Sequence, residues 1–155
     1  MNTKGFKSQG TPTTCSIAVI RAIKNYFEDT DVSEEEILKN FLLNQSTNGT
    51  DINSITSYWK SQSGYVHDKK DEQTPEEMAA ELEKKTMAMV ILNTPTSGKF
   101  HCVLFTGLDE GHVSYWDPEQ SQGDKRVSKS EFENMRRHDQ PTHKLREVHY
   151  INKRI

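Results

Sequence analysis

Three side chains that together can break an amide bond occur along this chain in the order Cys, His, Asp. Cys15 opens an apolar helical run in Thr13-Thr14-Cys15-Ser16-Ile17. His101 stands near the start of an apolar strand in Phe100-His101-Cys102-Val103-Leu104, and Asp117 closes the next one in Tyr115-Trp116-Asp117-Pro118. A thiol is a weak nucleophile until a neighbouring base takes its proton, and that base needs a third group to fix its tautomer and orientation. Each role has a candidate here.

The spacing of His101 and Asp117 suits a hairpin. Apolar runs at 100–106 and 112–117 flank Gly107-Leu108-Asp109-Glu110-Gly111, whose glycines and acids belong in a loop. A loop centred on Asp109 sets His101 directly opposite Asp117, where Cβ atoms on one face of an antiparallel pair are roughly 4.5–5.5 Å apart. A slip of one residue would send the two side chains to opposite faces.

Cys15 has a positioning element of its own. Ile17, Ile20, Ile23 and Phe27 recur at helical spacing with Ala18, Val19 and Ala22 beside them, while Arg21, Lys24 and Asn25 occupy another side. Thr13 or Thr14 can cap this helix and Pro12 blocks its backward extension, so Cys15 falls in the first turn. Unpaired backbone N–H groups and the positive end of the helix dipole favour a thiolate there and can hold an oxyanion.

Gln9 stands six residues before Cys15 in Gln-Gly-Thr-Pro-Thr-Thr-Cys. With this segment, Phe100-His101-Cys102-Val103 and Trp116-Asp117-Pro118, the chain resembles the papain-like cysteine peptidases. Within them it is most similar to the small C39-like branch, which includes double-glycine leader peptidases. Asn48-Gly49-Thr50, followed by Ile52, Ile55 and Trp59, resembles the Gly-Thr segment that starts the third helix of that family. The resemblance spans most of residues 9–118. It implies that Cys15 is the nucleophile, His101 the base, Asp117 the orienting carboxylate and Gln9 a donor to the oxyanion. Leader peptidases usually have glycine after the nucleophile and a second cysteine soon afterwards; Ser16 and Val19 stand here instead.

The remaining elements follow from periodicity and punctuation. Helices are expected at about 14–28, 33–43, 51–62, 75–85 and 129–137. Thr74 caps the fourth, with Pro75 at its first position and Glu77 completing a capping box, and Ser33-x-x-Glu36 is a second such box. Strands are expected at about 86–92, 100–106, 112–117 and 145–151, with a short one near Tyr65-Val66. Residues 67–73 and 93–99 read as polar loops, the latter bordering the substrate groove. Helices first and strands later predict an α+β fold, a single domain over 1–155. In the papain-like form that the resemblance implies, N-terminal helices include the nucleophile helix, packed on a C-terminal antiparallel sheet.

Composition bounds the partners. The 155 residues are 32% hydrophobic and 28% charged, enough for one domain with a real core. A net charge of −3 offers no general attraction for nucleic acid. No run approaches the roughly 20 apolar residues of a membrane span, and Met1-Asn2-Thr3-Lys4-Gly5 leads into no signal-peptide core. The chain is expected to be cytoplasmic as synthesised, with delivery by a secretion system without a cleavable signal as the alternative. Cys15 and Cys102 form no C-x-x-C pair, so neither metal nor cofactor is expected. Cys102, pointing opposite to His101, is read as core packing. His138, His143 and His149 are read as surface residues, and Trp59, Trp116, Tyr58 and Tyr115 as core and groove wall.

These residues point to a thiol-dependent amide hydrolase, a C39-like cysteine peptidase acting on a specific protein or peptide. The same triad serves a protein-glutamine deamidase working as an effector or toxin, whose partners would include a cognate inhibitor or immunity protein. A transglutaminase-type enzyme ranks third, because it generally has tryptophan where Ser16 stands. An inactive papain-like module that binds peptides through the same groove is the non-enzymatic alternative.

Overall fold

Residues 16–20, 22 and 23 are all buried, and their spacing wraps an apolar surface around most of the first helix, α1 (Cys15–Glu28). The structure, a computed structural model, describes residues 1, 3, 5–8, 10, 15–29, 31–41, 52–93, 100–119, 123–136 and 147–154. Expectations for Gln9, Pro12, Thr13, Thr14, Asn48-Gly49-Thr50, the loop 94–99, His138 and His143 lie outside the described residues.

Two more helices, α2 (Glu34–Phe41) and α3 (Ile52–Lys60), precede the first strand, β1 (Tyr65–Lys70). Then follow α4 (Pro75–Glu83), β2 (Met87–Asn93), β3 (Phe100–Asp109), β4 (His112–Asp117), β5 (Gly123–Ser128), α5 (Lys129–Met135) and β6 (Val148–Lys153). The capping box of α4 forms as expected: Thr74 Oγ1 accepts from the Glu77 N–H at 3.1 Å, and Glu77 Oε1 accepts from the Thr74 N–H at 3.3 Å.

The six strands make one antiparallel sheet in the order β1-β6-β2-β3-β4-β5. Its central strands are apolar on both sides because both faces are covered. Met87, Met89, Ile91, Cys102, Leu104 and Trp116 join Ile17, Ile20, Ile55 and Trp59 in the core beneath α1–α3. Ala88, Val90, Val103, Phe105, Val113 and Tyr150 pack with Met78 of α4 and Phe132 of α5 in a second core. Trp59 is buried, and its indole N–H donates to Met89 Sδ at 3.3 Å. The tryptophans and tyrosines expected in the core are therefore there.

Four expectations need correction. β5 was not anticipated: Gly-Asp-Lys-Arg-Val-Ser has no apolar alternation, but as an edge strand it needs only one inward anchor, Val127. β1 runs through His67–Lys70, read as loop, because its polar residues occupy the other edge of the sheet. His149 is not a surface residue but is fully buried, with Nδ1 2.9 Å from His67 Nε2. The hairpin loop between β3 and β4 is not five residues long. It is the two-residue turn Glu110-Gly111, both with positive φ (49° and 76°), the mirror-image turn that matches strand twist.

Candidate active site

The hairpin register decides whether His101 and Asp117 can meet. At the turn Asp109 pairs with His112 and Gly107 with Ser114, so paired residue numbers sum to 221. Continued inward, that odd sum would put His101 and Asp117 on opposite faces. A bulge intervenes: Phe105 pairs with Tyr115 and Leu104 with Trp116, leaving Thr106 as the extra residue and reducing the sum to 220. Parity is restored, and the two side chains share a face as diagonal neighbours rather than directly opposed residues. The directly opposed pairing is thereby corrected, while the shared face survives.

The diagonal is bridged. His101 Nε2–H donates to Asp117 Oδ1 at 2.6 Å, and both side chains are nearly buried. The same Oδ1 accepts from the Glu119 N–H at 2.9 Å, closing a turn through Pro118. Aspartate readily forms such side-chain turns with the backbone two residues on. Asp117 thus starts a turn and faces an imidazole at once.

Half-buried Cys15 is the second group that acts on the imidazole. Nε2 is engaged by Asp117, which leaves Nδ1 for the sulfur. Burial pulls the His101 pKa down, but hydrogen bonds and charge from Asp117 and Cys15 outweigh it and raise the value from 6.5 to about 10. Cys102 is buried in the core beneath α1–α3 that Cys15 also borders, and burial first, then the charges of Cys15 and Asp117, push its thiol well above the ordinary range. The two cysteines border the same core and differ in exposure, Cys15 half-buried and Cys102 buried.

Gly10, on the segment leading to Cys15, is anchored through its N–H to Glu34 Oε1 of α2 at 3.0 Å. Gln9 itself lies outside the described residues. Cys15 is the first residue of α1, where backbone N–H groups have no intrahelical acceptor. Sequence reasoning passed over Glu119. Its signal was the Asp-Pro-x turn, which brings the next residue back toward the aspartate. His101, Asp117 and Glu119 offer ligand atoms within 4.8 Å of one another, the grouping nearest to a metal site among the described residues. An ion there would have to displace the proton between His101 and Asp117.

Arranged this way, the groups can activate a thiol against a carbonyl. The model of the Peptidase_C39 like family matches residues 3–141. The chain belongs to that family. Its fold is similar to the peptidase domain of Streptococcus ComA, a bi-functional ABC transporter involved in a quorum sensing pathway. The TM-score is 0.72 at 14% identity, over 96% of this chain and 97% of that one. A double glycine motif protease from an AMS/PCAT transporter, solved in complex with the leader peptide, gives 0.69 at 15% identity, over 95% and 89%. A putative C39-like peptidase from Bacillus anthracis gives 0.66 at 14% identity, over 97% and 95%. No curated protein matches the chain. Family and fold are those of the papain-like cysteine peptidases, an α+β architecture. Among the described residues, no helix of this family member is long and apolar enough to cross a membrane.

Proposed function

We propose that this chain is a thiol-dependent amide hydrolase, a cysteine peptidase that cleaves a specific protein or peptide through Cys15, His101 and Asp117. What supports the reading is the His101–Asp117 hydrogen bond, together with the Cys15 thiol at the first residue of α1 acting on the same imidazole. His101 takes the thiol proton and Cys15 Sγ attacks the scissile carbonyl. The C–N bond then breaks, His101 gives the proton to the leaving amine, and water hydrolyses the thioester. Asp117 keeps Nδ1 of the imidazole turned to the sulfur and stabilises its charged form. The Cys15 N–H and the Gln9 side chain bind the oxyanion, the latter by family resemblance.

A peptide in the groove agrees with the relative solved with its leader peptide. Ser16, in place of the usual glycine, favours a substrate other than a double-glycine leader. Wild type and Cys15→Ala are incubated with candidate proteins and peptides, and intact masses are measured. Fragments made only by wild type support the proposal. A gain of about 1 Da without cleavage would replace it with side-chain deamidation through the same thioester. Equal binding by both proteins without turnover would replace it with a peptide-binding module.

A further inference from the structure

Glu119 carries a carboxylate that the proposed reaction does not use. Its backbone N–H is committed to Asp117 Oδ1, but its side chain is exposed and lies within 4.8 Å of the ligand atoms of His101 and Asp117. Several other acids have a cation: Asp31 has Arg21 at 2.9 Å, Glu133 has Arg136 at 2.8 Å and Glu147 has Lys69 at 2.9 Å. Among the described residues, Glu119 has no such ion pair.

The reaction determines which part of a substrate meets this carboxylate. His101 must return a proton to the leaving amine, so that nitrogen comes within hydrogen-bond reach of the imidazole, roughly 2.6–3.2 Å. The residue that carries the amine, the first one after the scissile bond, is thereby held against the His101 side of the site. Glu119 stands beside the same imidazole. A cationic side chain at that position can pair directly with the exposed carboxylate, and guanidinium can bind it through two N–H groups.

We infer that Glu119 is a specificity-determining residue that selects substrates with Lys or Arg immediately after the scissile bond. The inference rests on the triad reading above. An exposed ion pair of this kind amounts to about a fivefold preference in kcat/KM over a neutral residue. Lysine and arginine share the chemistry, and their relative enrichment distinguishes simple charge from bidentate recognition.

Two experiments test it, and Glu119→Gln suits both because it removes the charge while keeping the N–H that holds Asp117. In the first, Cys15 of the full chain is modified by a cationic and an anionic methanethiosulfonate, with the labelled peptide mapped. The cation-to-anion rate ratio should fall about fivefold in Glu119→Gln; an unchanged ratio overturns the inference. In the second, a proteome-derived peptide library is digested and the cleaved bonds are read by mass spectrometry. Lys and Arg should be enriched after the scissile bond by wild type, lose that enrichment with Glu119→Gln, and give way to Asp and Glu with Glu119→Lys. Cys15-dependent cleavage with the same preference in all three forms overturns the inference and leaves the triad standing. A Cys15 inert to both reagents, together with no Cys15-dependent cleavage, overturns the triad reading and this inference with it.

Discussion

Replacing Asp117 with asparagine should lower the His101 pKa by about 1–2 units without unfolding the protein. His101 donates to Asp117 Oδ1 at 2.6 Å, with the two side chains only 13% and 11% exposed. Burial alone would hold the imidazole below 6.5, whereas Asp117 and Cys15 together bring it to about 10. A hydrogen bond to a charged group contributes about 1.5–3 kcal/mol, and one pKa unit corresponds to about 1.36 kcal/mol. Asparagine keeps an oxygen for both His101 and the Glu119 N–H, so the loss is chiefly that of the charge. The assay follows the His101 ring protons by NMR through titration in Cys15→Ser, where no thiol titrates beside the imidazole, and in Cys15→Ser with Asp117→Asn. Equal midpoints in the two proteins would refute the reasoning, since the 2.6 Å contact would then carry no charge stabilisation. The sign for stability follows. A folded-state pKa raised above 6.5 favours the protonated fold, so this contribution is complete below about 6.5 and is lost as pH rises through about 10.

Brief iodoacetamide treatment at neutral pH should label Cys15 and spare Cys102, which is 2% exposed with a raised pKa; peptide mass mapping reads the ratio, and preferential labelling of Cys102 would contradict its burial. The buried imidazole pair on β1 and β6 should make the fold acid-sensitive. Burial first, then the charges of His67 and Lys69, hold His149 down to about 3, and burial followed by the charge of Lys60 lowers His67. Their neutral forms are favoured by folding, so that stability is complete above about 6.5 and is lost as pH falls toward 3; denaturant midpoints across this range measure it, and a His67→Ala, His149→Leu double variant should flatten the slope. Trp59→Ala should cost about 3–5 kcal/mol in urea unfolding, because a side chain 1% exposed leaves a cavity between α3 and the sheet and an unpaired Met89 sulfur.

Elements with strong local chemistry were legible in the sequence. The α1 stripe, the Thr74–Glu77 box and the two-sided apolar runs of β2 and β3 each report their own environment. β5 and the second half of β1 were not legible, because an edge strand is defined by the neighbour it pairs with rather than by its own pattern. His149 illustrates the same limit. Its position in β6 fixes alternation, but full burial comes from β6 lying between β1 and β2, with His67 supplying a partner from β1. No local signal marks that insertion, because its contacts span most of the chain.

At the site, residue type and order were easier to read than register. A hairpin drawn through Asp109 places His101 opposite Asp117 with a five-residue loop. The protein instead closes a two-residue turn at Glu110-Gly111 and inserts Thr106 as a bulge. Each feature alone changes the relation of the two side chains, and only the combination returns them to one face, two positions off the direct pairing. Thr106 is 8% exposed within the ladder, so the extra residue is enclosed where it stands. The shared face was anticipated from parity, which counts residues modulo two. The diagonal was hidden because a bulge changes that count without an apolar pattern of its own. This geometry also explains why the Asp-Pro turn belongs to the site. A diagonal partner must lean along the strand to reach the imidazole, and the Glu119 N–H holds the carboxylate from behind at 2.9 Å. The turn that ends β4 therefore fixes the same oxygen that His101 uses, so the backbone beyond the strand completes what strand pairing alone leaves offset.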